Sequence, residues 1–514
     1  MRTCFSMDPL TLDPRKSGEQ ITSVFLSMLY AGLTRLNPDG SSELDLAESV
    51  EVQENGRVYE FTLREACWSN GDSITASDFE ASWKQSLDPD FSNPCRHLFY
   101  LLKGAEKASK KLISLDEVGV KALDAQTLRV ELENPTPHFL SLTSFTNFFA
   151  VPALLRTKNL EWLDPGMIPV SGPFRLVSWQ KREMIQLKKN PLYWDADNVS
   201  LETAKIYISK NPYLVFQMFD DGDIDFISNI LCSVPNEVIH QYTAQGLAQI
   251  LPMGGVTFCS FNTTLFPFEN QKIRQAFSMA IDRERLIQDS RSLELPAQRL
   301  LPPPLAKGIA DSQLEHNPAL ARQLLNQGMK ELGVLSGNND LVHLFFGNLT
   351  FSFENSVHQS KLASALQTQW RENLKLQVKL EPADYQTHLQ KLFSGNYSMG
   401  LGYWLAHSMD PIDILERFKN KELMKNYSRF AHPEYSALLQ KTSQNIHPAA
   451  RLKTLQEAED FLIQQMPIAP LSHGDHIVIA RQQLENVTYL PNGAPRFTRC
   501  RTISVDDEKA AAVN

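Results

Sequence analysis

The chain has 514 residues, too many for one ordinary core, so two or three domains are expected. Its composition, 42% hydrophobic and 21% charged, is that of an ordinary soluble protein, and a formal net charge of −9 leaves no basic footprint for nucleic acid. No stretch is long and apolar enough to span a bilayer, and six cysteines without C-x-x-C spacing offer neither a metal signature nor a dense disulfide framework, so isolated buried thiols are expected.

In chain order, the first residues show no charged n-region and no apolar h-region, which read alone points to the cytoplasm. A helix is expected over Glu19 to Leu29, with Gly32 as a left-handed stop. Asn55-Gly56 between two strand-like runs predicts a hairpin, and Tyr59, Phe61 and Leu63 alternate as a half-buried strand does. Ser69-Asn70-Gly71-Asp72 supplies turn chemistry, with Gly71 free to take positive φ. Thr75 or Ser77 caps the following helix, Asp78 suits its first turn, and Phe79 and Trp83 share one face. Val118 to Asp124 and Thr127 to Leu132 read as a strand pair.

Asp220-Asp221-Gly222-Asp223-Ile224-Asp225 lacks the closing Glu of a calcium loop, and a turn entering a buried strand is expected instead. The helix from Asn270 places Ile273, Ala276, Phe277, Ala280 and Ile281 on one buried face, with Arg274 and Asp282-Arg283 expected in ion pairs. Leu301-Pro302-Pro303-Pro304 predicts a stiff polyproline connector. Helices at Asn317 to Leu332 and Ser360 to Leu374 precede a strand at Leu376 to Leu380, and Pro382 is expected to start the next helix. An amphipathic helix from Arg451 to Met466 is stopped by Pro467. Ser472-His473-Gly474-Asp475-His476 contains two His and an Asp, the residue types of a metal or catalytic cluster, but in a strand His473 and Asp475 would face one way and His476 the other. No H-E-x-x-H, G-x-S-x-G, Walker loop or G-x-G-x-x-G occurs, which argues against an enzyme.

Four literal strings go further. L-R-x-x-x-W-S-N-G-x-x-I-T-A-x-D-F-x-x-S-W at Leu63 to Trp83, N-P-x-Y-W-D at Asn190 to Asp195, the run from Asn262 to Arg283, and M-P-I-x-P-L at Met466 to Leu471 resemble the oligopeptide-binding proteins of ABC importers. The resemblance spans Met7 to about Arg501. It implies an α/β, two-lobed periplasmic-binding-protein (venus-flytrap) fold with an additional inserted α/β domain. Residues 1–30, 155–254 and 475–514 would form lobe I, 31–154 the insert and 255–474 lobe II, with chain crossings near 255 and 475. It implies a monomeric, non-enzymatic solute-binding component without cofactor or metal. Such a protein captures short extended peptides in a closing interlobe cleft and passes them to an ABC permease and ATPase complex in the inner membrane. Export to the periplasm or cell envelope follows, with the signal sequence absent from this chain. Cys4 has only three residues before it, so no lipoprotein reading can be made.

Residue by residue, the resemblance places peptide contacts at Ser17, Gly18, Glu19 and Gln20 and at Tyr403, Trp404, Leu405, Ala406, His407 and Asp410. Peptides would add to these segments as an extra strand, Gly18 admitting the ligand backbone and Trp404 walling a side-chain pocket, with an ordinary core aromatic as its alternative. Two departures concern charge. His407 stands where the family places the Asp that clamps an α-ammonium, and a histidine gives no permanent negative charge. Leu392 and Leu401 stand where relatives place arginines for the peptide carboxylate, leaving Asp410, Glu19, Lys391 or Lys16 as substitutes. The same scaffold with another ligand (a murein or cell-wall peptide, a nickel complex or haem) is therefore the alternative. A hydrolase built on His407, Asp410 or the 472–476 run is the more distant one.

Overall fold

The structure is a computed structural model that describes residues 1–502 except 38, 158–164, 291, 311–313, 335–348, 407, 445–446 and 491. The chain divides into two compact units, Met1–Leu251 with His476–Asn514, and Pro252–Asp475. Two long strands, Ala248–Phe261 and Ile468–Ala480, carry the chain from one unit to the other.

In the first unit the strand Arg2–Phe5 lies between Thr203–Ile208 and Phe226–Ser228, parallel to both. Met184–Lys189 and Phe174–Gln180 extend the sheet antiparallel. A separate four-stranded antiparallel sheet joins Ala47–Gln53, Val58–Leu63, Thr127–Glu131 and Val120–Ala122. Its hairpin turns at Asn55 and Gly56, both at positive φ, as the Asn-Gly pair predicts. Gly71 also takes positive φ, and Thr75 forms a capping box with Asp78, whose carboxylate accepts from the Thr75 amide at 3.0 Å. The helix Ala76–Leu87 buries Phe79 and Trp83, and the Trp83 indole donates to Phe148 O at 2.8 Å. Gly32 departs from expectation. It is not left-handed, and the helix Gln20–Leu29 ends at an extended Tyr30. A Cβ at Gly32 would lie 2.6 Å from Phe149 and 2.7 Å from Thr143 O, so the glycine serves close packing instead. Asp225, after the Gly222 turn, pairs with Arg2 at 2.6 Å and leads into the buried strand Phe226–Ser228.

In the second unit the sheet order is Lys379–Ala383, Thr350–Glu354, Met399–Leu405, Ala248–Phe261 and Ile468–Ala480, with Leu295–Pro296 pairing onto the last. Helices Gln271–Met279, Pro318–Glu331, Val357–Leu374, Pro433–Gln444 and Pro448–Gln465 belong to this unit. Several expectations need correction here. The strand expected at 376–380 forms at Lys379–Ala383 and takes in Pro382, which an edge strand tolerates because its missing N–H can face outward. The next helix starts at Tyr385, capped by Asp384. Pro302 and Pro303 accept from Leu305 and Ala306, so the three prolines make turns rather than an extended rod. Among the described residues no ion pair holds Arg274 or Arg283. Arg274 donates to the carbonyls of Phe268, Gln465 and Met466, and Arg283 to Pro470 O at 2.7 Å. Burial pushes both guanidinium groups down to about 10. The buried ion pair of this unit is Arg299 with Glu459, whose Oε1 also accepts from the Leu301 amide at 2.9 Å.

Candidate functional site

In the first unit, Ser17 and Glu19 both have extended backbone, at φ −67°, ψ 131° and φ −130°, ψ 162°. The Ser17 carbonyl accepts from Asn147 Nδ2 at 2.9 Å, and its hydroxyl meets that of Ser23 at 2.8 Å. Gly18 is exposed, and a Cβ there would lie 2.8 Å from Pro94. Its own N–H and C=O have no partner among the described residues. The Glu19 carboxylate is occupied, capping its helix through the amides of Ile21 and Thr22, both at 2.7 Å. Gln20 donates to Asn492 O at 2.7 Å. This segment therefore presents backbone rather than charge.

In the second unit, the strand Met399–Leu405 pairs antiparallel with Ala248–Phe261, Val256 opposite Trp404 and Thr257 opposite Tyr403. Ala406 donates to Gly254 O at 2.8 Å, and antiparallel alternation makes Trp404 and Gly402 the next bonded residues. The amides and carbonyls of Leu401, Tyr403 and Leu405 therefore point to the opposite edge. There the neighbouring strand Thr350–Glu354 pairs only as far as Gly400. His388 meets Leu401 O at 2.8 Å and Arg417 donates to Leu405 O at 3.1 Å. By the same alternation the N–H and C=O of Tyr403 face this edge, past the last residue that pairs with Thr350–Glu354. An open edge of this kind is what an added strand requires.

Alternation also separates the side chains. Trp404 is 2% exposed, with ring centroids 4.3 Å from Phe258, 5.3 Å from Phe418 and 5.7 Å from Tyr427. The Arg417 guanidinium stands over its face at 5.1 Å. This is the core alternative for Trp404, not a pocket wall. Tyr403 is 44% exposed, and its ring crosses Gly255, where a Cβ would sit 2.5 Å from the phenol oxygen. The same oxygen is 3.4 Å from where Gly474 would carry a Cβ. Leu405 is half-buried and Ala406 buried.

His407 lies outside the described residues. Asp410 is not a spare anchor: Arg451 grips both its oxygens at 2.8 and 2.9 Å, and the Ile412 amide donates to it. Lys391 pairs with Glu381 at 3.5 Å, and Lys16 stands over Phe91. Leu392 and Leu401 are both core residues. In the run at 472–476, His473 faces Arg299 O at 3.2 Å and His476 faces the Ser228 hydroxyl at 2.8 Å. Burial pushes both imidazoles down to about 4. Among the described residues no group of three or more His, Cys, Asp or Glu converges on a metal position.

One group went unread in the sequence. Glu294 accepts from the hydroxyls of Ser472 and Thr257, the latter at 3.3 Å, and is half-buried. Leu295 pairs with His473, which carries the register on to Glu294 opposite Gly474. The signal available was Gly255 and Gly474 inside long strands, since a strand glycine marks close approach.

Residues 43–426 match the model of the bacterial extracellular solute-binding proteins, family 5. The chain is 33% identical over 472 residues to the oligopeptide-binding protein OppA of Bacillus subtilis, covering 90% of this chain and 85% of that one. It is 30% identical over 496 residues to the dipeptide-binding protein DppE of the same organism, covering 95% and 89%. Among solved structures, a periplasmic oligopeptide-binding protein from Borrelia burgdorferi superposes with a TM-score of 0.78 at 26% identity, covering 98% and 99%.

Proposed function

Because the chain belongs to family 5 of the bacterial extracellular solute-binding proteins, we propose that it is the solute-binding component of an ABC importer, capturing short extended peptides outside the membrane. Peptide is bound and released unchanged, then handed to a permease and ATPase complex, and the protein acts as a monomer in the periplasm or cell envelope. Among the described residues no helix is long and apolar enough to cross a membrane, so attachment through such a helix has no support there.

The observation that carries the reading is the main chain of Tyr403 on an open strand edge. Main-chain pairing gives affinity that is indifferent to sequence, which suits a general peptide receptor. Gly18, exposed with unpaired backbone groups, is the matching position in the first unit. Glu19 and Gln20 support their segment, Trp404, Leu405 and Ala406 hold the edge in place, and Asp410 is held by Arg451. His407 keeps its place in the proposal from the sequence alone.

Tyr403→Pro tests the reading. It deletes the outward N–H without removing a bond to the neighbouring strand, and Tyr403→Ala controls for the lost ring. One hydrogen bond is worth about 0.5–1.5 kcal/mol net. Calorimetry with a short peptide is expected to show the proline variant weaker than the alanine variant by roughly 2- to 13-fold. Equal affinities in the two variants would remove Tyr403 from the binding edge.

A further inference from the structure

Glu294 is a half-buried carboxylate that no cation meets among the described residues. Its oxygens accept from Thr257 and Ser472 hydroxyls, and no ion pair reaches it among the described residues. A carboxylate out of water without an opposite charge is costly, and two neutral hydroxyls do not replace a cation.

Its surroundings point in one direction. Thr257 stands opposite Tyr403 across the strand pair, in a position where side chains share a face. The Tyr403 ring runs from the open edge over Gly255 toward Gly474, and the register puts Glu294 opposite Gly474. The ring is thus an exposed aromatic strip with the edge at one end and the carboxylate at the other. A lysine or arginine stem packs well along an aromatic face, and its head is attracted both by the ring and by the carboxylate beyond it. The two glycines are required, since a Cβ at Gly255 would displace the ring.

We propose that Glu294 is the counter-charge for a cationic group of the bound peptide, guided to it along the Tyr403 ring, so that this protein selects peptides that place a positive charge there. The inference rests on the peptide-binding reading above. The cation is either a basic side chain or the α-ammonium, and both present the same chemistry to the carboxylate.

The test is calorimetry with eight alanine-based tetrapeptides, containing lysine or norleucine in turn at each of the four positions, each with free and with acetylated N-terminus. The unaltered protein is expected to prefer the lysine peptide over its norleucine isostere by about 10-fold or more at one position, and Glu294→Gln to abolish the preference. If lysine and norleucine peptides bind alike while acetylation weakens both, and Glu294→Gln removes that effect of acetylation, the cation served is the α-ammonium. Equal binding of all the peptides, free or acetylated, by the unaltered protein overturns the assignment of Glu294 while leaving peptide capture intact. Binding of none overturns the peptide reading itself. The comparison within the unaltered protein decides the matter even where Glu294→Gln does not fold.

Discussion

Replacing Trp404 by alanine separates a core residue from a ligand wall. The indole is 2% exposed and packed against Phe258, Phe418 and Tyr427, with Arg417 over its face. Truncating a buried aromatic of this kind costs about 3–5 kcal/mol, from lost transfer energy and from the cavity that remains. Loss of the aromatic contacts and of the cation–π contact lies within that range rather than adding to it. For a unit of this size each kilocalorie lowers the melting temperature by about 2–4 °C, so a fall of roughly 6–20 °C is expected. Differential scanning calorimetry measures it, and peptide titration at a temperature where the variant is folded supplies the second readout. Affinity there is expected to stay within about 3-fold, because the side chain points away from the face that carries Tyr403. An unchanged melting temperature together with weakened peptide binding would refute the core assignment and return Trp404 to a ligand pocket.

Two further outcomes follow from buried charge. Glu459→Gln leaves Arg299 without its partner in a buried site and is expected to destabilise the protein by about 3–5 kcal/mol in urea titration, while the double change Arg299→Met with Glu459→Leu costs clearly less. His473 and His476 are held neutral by burial, each down to about 4 from an ordinary 6.5, so their contribution is complete above pH 6.5 and is lost as pH falls toward 4. Asp475, raised to about 7, works in the opposite sense over much of the same range. With two groups against one, the urea midpoint is expected to fall between pH 6.5 and 4, and a flat profile there would contradict the burial of the two imidazoles.

Local elements were legible where short-range chemistry decides them. The Asn55-Gly56 hairpin, the Thr75–Asp78 capping box and the stop at Pro467 each depend on a few adjacent residues. Errors arose where tertiary surroundings changed a residue's task. Gly32 looks like a helix stop, but Phe149 and Thr143, more than a hundred residues away, are what exclude a side chain. Pro382 looks like a helix start, but its place on a sheet edge lets it remain in a strand. Arg274 and Arg283 look like partners for acids, but helix ends and the strand beginning at Ile468 supply carbonyls instead.

The candidate site was legible as segments and illegible as chemistry, for one physical reason. The family resemblance suggests residues 17–20 and 403–410, yet which groups are free there is decided by pairing. The Glu19 and Asp410 carboxylates both look available in sequence, and both are already engaged, by two helix amides and by Arg451. Tyr403 is available only because the strand Thr350–Glu354 ceases to pair beyond Gly400. Glu294 is distant in sequence from both segments and comes to the Tyr403 face through the pairing of Leu295 with His473. Free backbone at a strand edge tolerates any sequence, whereas an unpaired carboxylate at the end of an aromatic strip does not. On the proposed reading, generality and selectivity reside in different atoms of one face, and changes at Tyr403 N–H and at Glu294 are expected to act on overall affinity and on ligand charge separately.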